Sequence, residues 1–243
     1  DFIHPAFDQI VSEAARMRYR SNGDFSCPIV IRAPWGGGVH GGLYHSQSVE
    51  AFYAHVPGLK VVLPSTPEDA KGLLKSAIRD PDPVMFFEHK KTYRLIKGEI
   101  PEGEYLTPIG PAAVRREGTK LSCFAWGLML HHCLEAAEAL AGEGVSVEVV
   151  DLRTLRPLDK EAILASVRKT GKAMIVYEDN LTGGFGAEVA ALIAQEAFEH
   201  LDGPVLRVAA PDIPGMPFNK PQEDFFMPSP EKIAAGMRKL AAY

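Results

Sequence analysis

The sequence predicts an α/β fold in two domains, and three observations carry that prediction. Short apolar runs alternate with amphipathic helical runs along most of the chain, the order that builds a parallel sheet with helices packed against it. The alternation breaks once, between His89 and Gly118, where Gly98, Pro101, Gly103, Pro108, Gly110 and Pro111 remove any period over a stretch too long for an ordinary connection. A length of 243 residues is also enough for two separate cores. The expected division is a first domain over residues 1–93, a linker over 94–118 and a second domain over 119–243.

In the first domain, Phe7, Ile10, Val11, Ala14 and Ala15 recur at helical spacing and Pro5 suits a first turn, so an amphipathic helix is expected to end near Arg20. No strand precedes it, and a helix that needs a sheet to cover it suggests a chain that starts inside a domain. Pro28 to Ala33 reads as a strand and Val49 to Val56 as a helix, with a glycine-rich loop between them. Lys60 to Leu63 is a second short strand. Thr66-Pro67-Glu68-Asp69 is a strong helix start, with Thr66 as cap, Pro67 at the first position and two acids facing the helix dipole. That helix is expected to run to about Ala77, where Asp80-Pro81-Asp82-Pro83 breaks it, and Val84 to Phe87 supplies a buried strand.

Beyond the linker the pattern restarts. Strands are expected at Leu121 to Ala125, Val145 to Val150, Ala173 to Tyr177 and Val205 to Val208, and helices at Leu128 to Leu140, Lys160 to Thr170 and Ala187 to Leu201. A last helix starts at the Ser229-Pro230-Glu231 cap. The second domain reads as a complete doubly wound α/β unit.

Composition narrows the function. A net charge of -5 offers no basic excess for a nucleic-acid backbone, and no apolar run reaches membrane-spanning length, so neither nucleic acid nor membrane is an expected partner. Cys27, Cys123 and Cys133 are odd in number and contain no C-x-x-C, which reads as reduced cysteines in a cytoplasmic protein.

The stretch most laden with chemistry is Pro34 to Ser48, PWGGGVHGGLYHSQS. Its five glycines cannot be justified by helix or strand, and they stand where a strand hands over to a helix, the usual place for a ligand in an open sheet. Gly36, Gly38 and Gly41 satisfy G-x-G-x-x-G, but no helix follows at once and no acid closes a second strand about twenty residues on, so a dinucleotide site is not expected. His45, among Tyr44, Ser46, Gln47 and Ser48, is the natural proton carrier, and a proton carrier must stand in a cleft rather than in the core. Thr182-Gly183-Gly184-Phe185-Gly186 reads as glycines that let a helix approach a strand. The histidines form no zinc pattern, and Lys90-Lys91 and Arg115-Arg116 read as solvated faces. Asp80 and Asp82, beside the free carbonyls of Ala77 and Ile78 at a helix end, are either solvated acids or part of a cation site.

Four segments together resemble a known family: Phe2 to Ile10, GGLYHSQSVEAFYAHVPGLKVVLPSTPEDAKGLL from Gly41, DLRTLRPLD from Asp151 and TGGFGAEVA from Thr182. They are similar to the β subunit of the thiamine-diphosphate-dependent 2-oxo acid dehydrogenases, over nearly the whole chain. RYRS and IRAPWG lean towards the branched-chain 2-oxo acid (2-oxoisovalerate) branch rather than the pyruvate one.

The resemblance implies a transketolase-like pyrimidine-binding domain, here without its amino-terminal part, followed by a transketolase C-terminal domain. It implies that His45 is the catalytic histidine, moving protons during decarboxylation and during acyl transfer to the lipoyl group of a transacylase. Phe2 matches the aromatic residue that packs on the aminopyrimidine ring of thiamine diphosphate. The carbonyls of Ile29, Ala77, Ile78 and Asp80, with Asp82, match a structural potassium site, although position 82 is asparagine in some relatives. Magnesium and the diphosphate would be held by an α subunit in an α2β2 assembly. Full-length relatives carry about eighty residues ahead of Phe2, including a glutamate that activates the cofactor, so this chain alone is expected to supply only part of the cofactor site. The alternatives are a pyruvate dehydrogenase β subunit, a transketolase-like or deoxyxylulose-phosphate-synthase-like carboxyl half, and a non-catalytic docking fragment.

Overall fold

A computed structural model describes residues 1–243. The chain opens on a helical path whose hydrogen bonding changes from turn to turn (His4–Ala6, Gln9–Glu13, Ala14–Arg16) before settling into α1, Met17–Arg20. The single regular helix expected there is absent. Only Ile10 and Ala15 are buried along it, too little packing to impose one period on so short a segment.

The first domain continues with β1 (Val30–Trp35), α2 (Glu50–Ala54), β2 (Lys60–Val62), α3 (Pro67–Ile78), β3 (Val84–His89) and α4 (Thr92–Leu95). The Thr66 hydroxyl accepts the Asp69 N–H at 3.2 Å, the cap that the sequence promised. The remainder comprises β4 (Ala113–Arg116), β5 (Leu121–Ala125), α5 (Leu128–Ala141), β6 (Val147–Asp151), β7 (Thr154–Arg156), α6 (Lys160–Thr170), β8 (Ala173–Asn180), α7 (Gly186–Glu196), β9 (Leu206–Ala210), α8 (Lys220–Phe226) and α9 (Pro230–Ala241).

Two sheets result. The first has the order β1-β3-β2-β7, parallel except for β7; the second has the order β4-β6-β5-β8-β9, parallel except for β4. Two strands stand where none was expected. β4 lies within the stretch read as linker and pairs with β6, and β7, inside DLRTLRPLD, leaves the second domain to pair with β2 of the first. Both are short edge strands without a period of their own, so pairing rather than pattern defines them.

The larger apolar core ignores the division between domains: Trp35, Tyr53 and Phe87 of the first pack in one cluster with Trp126, Tyr177 and Phe185 of the second. Trp126 stacks on Tyr177 with ring centroids 5.7 Å apart. Because the strands other than β4 and β7 run parallel within each sheet, their carboxyl ends gather on one edge, and these edges meet: His89 at the end of β3 touches Glu178 near the end of β8. Cys123 and Cys133 are buried as free thiols, their Sγ atoms 3.4 Å apart. No helix is long and apolar enough to cross a membrane.

Candidate active site at the glycine loop

Trp35 ends β1, and the chain then enters the glycine loop with Gly36 at φ 85° and Gly38 at φ 76°, a region that favours glycine. A side chain at Gly36 would also strike the His89 ring. The backbone N–H groups released by this unusual path do not await a ligand. Gly37 donates to Glu178 Oε1 at 2.5 Å, and Gly38 and His40 donate to Glu223 Oε1 at 2.9 and 3.1 Å. The loop is thus an anion-binding nest filled by two carboxylates of the second domain, which is why it offers no phosphate site.

Glu178 is fully buried and every one of its close partners is a donor. Besides Gly37 it accepts the Ser48 hydroxyl at 3.0 Å and His89 Nε2 at 2.7 Å. Lys91 N–H donates to His89 Nδ1 at 3.2 Å, which puts the ring proton on Nε2, facing Glu178. Burial pushes the Glu178 carboxyl up, but the His89 ring and the bonds from His89, Gly37 and Ser48 outweigh it and leave its pKa below the usual carboxylate value. Glu223, on α8, holds His40 Nδ1 at 2.7 Å with its other oxygen.

The far limb of the loop is tied back to its start. Gly36 N–H donates to the Gln47 carbonyl at 2.8 Å, and Gln47 N–H donates to the Asp1 carboxylate at 3.1 Å. Lys90 Nζ donates both to that carboxylate and to the His45 carbonyl. Burial lowers the Lys90 ammonium to about 8. Lys91 Nζ reaches the Gly38 carbonyl at 2.6 Å. The pair Lys90-Lys91 is therefore part of the loop's support and not the solvated face that its sequence suggests.

His45 emerges from this scaffold onto the surface, its ring edge-on to Phe2 with centroids 5.2 Å apart. The two residues expected to serve catalysis and cofactor packing are thereby brought together, both exposed. The neighbouring cavity, about 790 Å³, is walled by Ser46, Gln47 and Ser48 rather than by the His45 ring. Across it stand Asp179, Phe52 and Gly183. Ser46 Oγ is buried in that wall without a partner. Burial pushes the Asp179 carboxyl up to about 6, and burial followed by repulsion from Asp179 raises Glu50 well above its usual value. Glu50 accepts Trp126 Nε1–H at 3.0 Å while its second oxygen has no partner. At the start of α7, side chains at Gly184 and Gly186 would collide with the Tyr177 ring, so this second glycine cluster serves close helix–strand approach.

The residues matched to potassium lie at the opposite edge of the first sheet, before β1 and at the end of α3. The Ile29 carbonyl accepts Val84 N–H at 3.0 Å and the Ala77 carbonyl accepts Asp80 N–H at 3.2 Å. Lys60 Nζ sits 2.6 Å from both Asp80 carboxylate oxygens and 3.5 Å from Asp82, which also binds Arg18 Nε at 2.5 Å. Ile78 beside them has an exposed side chain. Fixed side-chain cations thus already neutralise both acids, and no group of three or more His, Cys, Asp or Glu side chains is placed to hold a metal.

Comparison with known proteins gives these features a family. The transketolase pyrimidine-binding domain matches residues 1–96 and the transketolase C-terminal domain residues 110–233. The β subunit of 2-oxoisovalerate dehydrogenase from Bacillus subtilis is 58% identical over the whole chain, which spans 74% of that protein. The chain belongs to the β subunits of the 2-oxo acid dehydrogenases. Within this family, a mitochondrial 2-oxoisovalerate dehydrogenase β subunit of Arabidopsis thaliana is 50% identical over 67% of its length, and the pyruvate dehydrogenase β subunit of Bacillus subtilis is 48% identical over 74% of its length. In fold the chain is similar to a split-gene transketolase solved as an inactive β tetramer, with a TM-score of 0.72 at 24% identity over 94% of this chain and 74% of that one.

Proposed function

We propose that this β subunit works in the oxidative decarboxylation of a branched-chain 2-oxo acid, with His45 as its catalytic histidine. The observation that carries the reading is the pairing of His45, on a loop fastened from several sides, with Phe2 of the N-terminal segment, two exposed rings 5.2 Å apart. An exposed aromatic ring beside a proton carrier fits the aminopyrimidine end of thiamine diphosphate, with Phe2 packing on that ring and the unpartnered Ser46 hydroxyl in the adjoining wall. When bound, the cofactor supplies the nucleophilic carbon and the electron sink for loss of carbon dioxide. His45 delivers and removes protons at the reacting oxygen, and again when the acyl group passes to the lipoyl sulfur of a transacylase. Magnesium and the diphosphate belong to an α subunit of an α2β2 enzyme in the cytoplasm.

The division into residues 1–93, a linker over 94–118 and residues 119–243 is part of the same reading, the linker lending β4 to the edge of the second sheet. So is a potassium ion on the carbonyls of Ile29, Ala77, Ile78 and Asp80 with Asp82, since carbonyl oxygens retain a second lone pair and suit a weakly charged cation. A melting temperature that rises in potassium but not in sodium supports that site, and equal values in both remove it.

The branched-chain reading is favoured over pyruvate by identities of 58% and 48% to the two Bacillus subtilis β subunits. The test pairs the chain with an α subunit and measures dye reduction with 3-methyl-2-oxobutanoate and with pyruvate. A higher kcat/KM for the branched substrate, and a loss of about a hundredfold or more in His45→Ala, is expected. Preference for pyruvate would replace the substrate, and an active His45→Ala enzyme would remove the assigned role.

A further inference from the structure

The His45 ring has no hydrogen-bond partner of its own in the chain; its place follows from its backbone and from the edge of Phe2. That backbone belongs to a closed segment, pinched where Gly36 N–H meets the Gln47 carbonyl. The second domain grips the segment at two places, through Glu178 on β8 and Glu223 on α8. We propose that Glu178 and Glu223 are positioning residues that fasten the Gly36–Ser48 segment to the second domain and so fix where the His45 ring stands. The inference rests on the catalytic reading of His45 given above.

The chemistry of the two grips supports a fastening role. The carboxylates receive backbone N–H groups that a loop of this shape cannot pair within itself, one at Glu178 and two at Glu223, and each reaches a histidine with its other oxygen. Glu223 is buried at the site, with 2% of its side chain exposed, so water does not readily replace it. Removing it frees the N–H groups of Gly38 and His40 at once. The displacement reaches His45 through only five residues of chain, and a shift of about 1 Å at a reacting group can cost on the order of a hundredfold in rate.

Glu223 also allows a conservative rescue. In Glu223→Gln the side-chain carbonyl still accepts from Gly38 and His40, and the amide N–H₂ faces His40 Nδ1 as a donor to the neutral ring. Glu178 is less suited to such a test, because an amide there would place a second donor against His89 Nε2.

The experiment uses the assembled α and β subunits carrying Glu223→Ala, Glu223→Asp or Glu223→Gln, with hydrogen exchange of the peptide spanning residues 36–48 read by mass spectrometry beside steady-state kinetics. Glu223→Ala is expected to speed exchange of the loop amides about tenfold. It should lower kcat about tenfold while leaving KM for the 2-oxo acid within about twofold. Glu223→Gln should return both readouts to within about threefold of the parent. Glu223→Asp, which shortens the reach without emptying the site, should fall between them and stands in for the alanine variant if that one does not assemble. Unchanged exchange in the alanine or aspartate variant overturns the proposal, as does faster exchange with an unaltered kcat or a folded Glu223→Gln enzyme that remains as slow as Glu223→Ala. Full activity in His45→Ala would overturn the catalytic reading alone, because the exchange result does not depend on it.

Discussion

At the glycine loop, the buried carboxylates of Glu178 and Glu223 meet backbone N–H groups, the Ser48 hydroxyl and the rings of His89 and His40, and each oxygen finds a partner. Elsewhere along the same domain junction, Asp69 and Asp151 meet the guanidinium groups of Arg115 and Arg153. There the match is poorer: Asp151 Oδ2 and Arg115 Nε are buried without a hydrogen-bond partner, 3.5 Å apart. Burial pushes the Asp151 carboxyl up to about 7 despite the pull of Arg115, whereas Glu178, equally buried, is held below its usual value. The contrast teaches that a buried acid is held in its charged form where every carboxylate oxygen is met by a directed donor, and less well where one oxygen is left facing a misaligned guanidinium, even though the other accepts from Ser65 Oγ and the Arg153 backbone N–H. It also shows where each design is used: the fully paired seam holds the loop that carries His45, and the guanidinium seam ties α3 to β4 and β6.

The largest expected effect is at the guanidinium seam. Asp69→Ala leaves Arg153 without a carboxylate and Arg115 with only the misaligned Asp151, and should cost about 3–5 kcal/mol in urea unfolding, the scale for breaking a buried pair from one side. A cost near zero would mean that water already solvates those guanidinium groups. Next comes Gly36→Ala, which combines strain at φ 85° with a clash on the His89 ring and should cost about 2–3 kcal/mol. His89→Ala removes one donor from Glu178 and should cost about 1–3 kcal/mol, with its carboxyl pKa moving up.

The pH dependence sharpens the comparison further. Asp151 binds its proton more tightly folded than unfolded, so it favours the folded state at low pH, and that contribution is lost as pH rises from about 4 through about 7. Asp151→Asn should flatten the decline in melting temperature over this window, and an unchanged slope would place the titration elsewhere. The smallest effect belongs to the exposed Arg238–Glu143 pair, where Arg238→Ala should leave the melting temperature within measurement error.

Most of the fold was legible because strand and helix periods are local, and so were the caps at Thr66 and Ser229. The sequence singles out His45 by its setting in YHSQS, but the contact of its ring with Phe2, 43 residues away, shows only in the fold. The grips on the loop were not legible either. Glu178 looks like the end of a strand and Glu223 like a surface acid of a short helix, and each meets its loop partner across 141 and 185 residues of chain. Lys90 and Lys91 misled for a related reason: two adjacent lysines imply solvent until a specific pair of carbonyls is brought to them. Edge strands β4 and β7 escaped because three or four residues cannot display a period.

The crossing of β7 into the first sheet also governs the order in which the molecule can be made. Residues 154–156 complete the β2 edge of that sheet, yet the ribosome adds them only after β5 and β6 of the second sheet have been synthesised. At roughly 5–20 residues per second, the nascent first domain waits several seconds past β3 with the β2 edge uncovered. The two halves therefore mature together, since the first sheet keeps an open edge until the second is largely made.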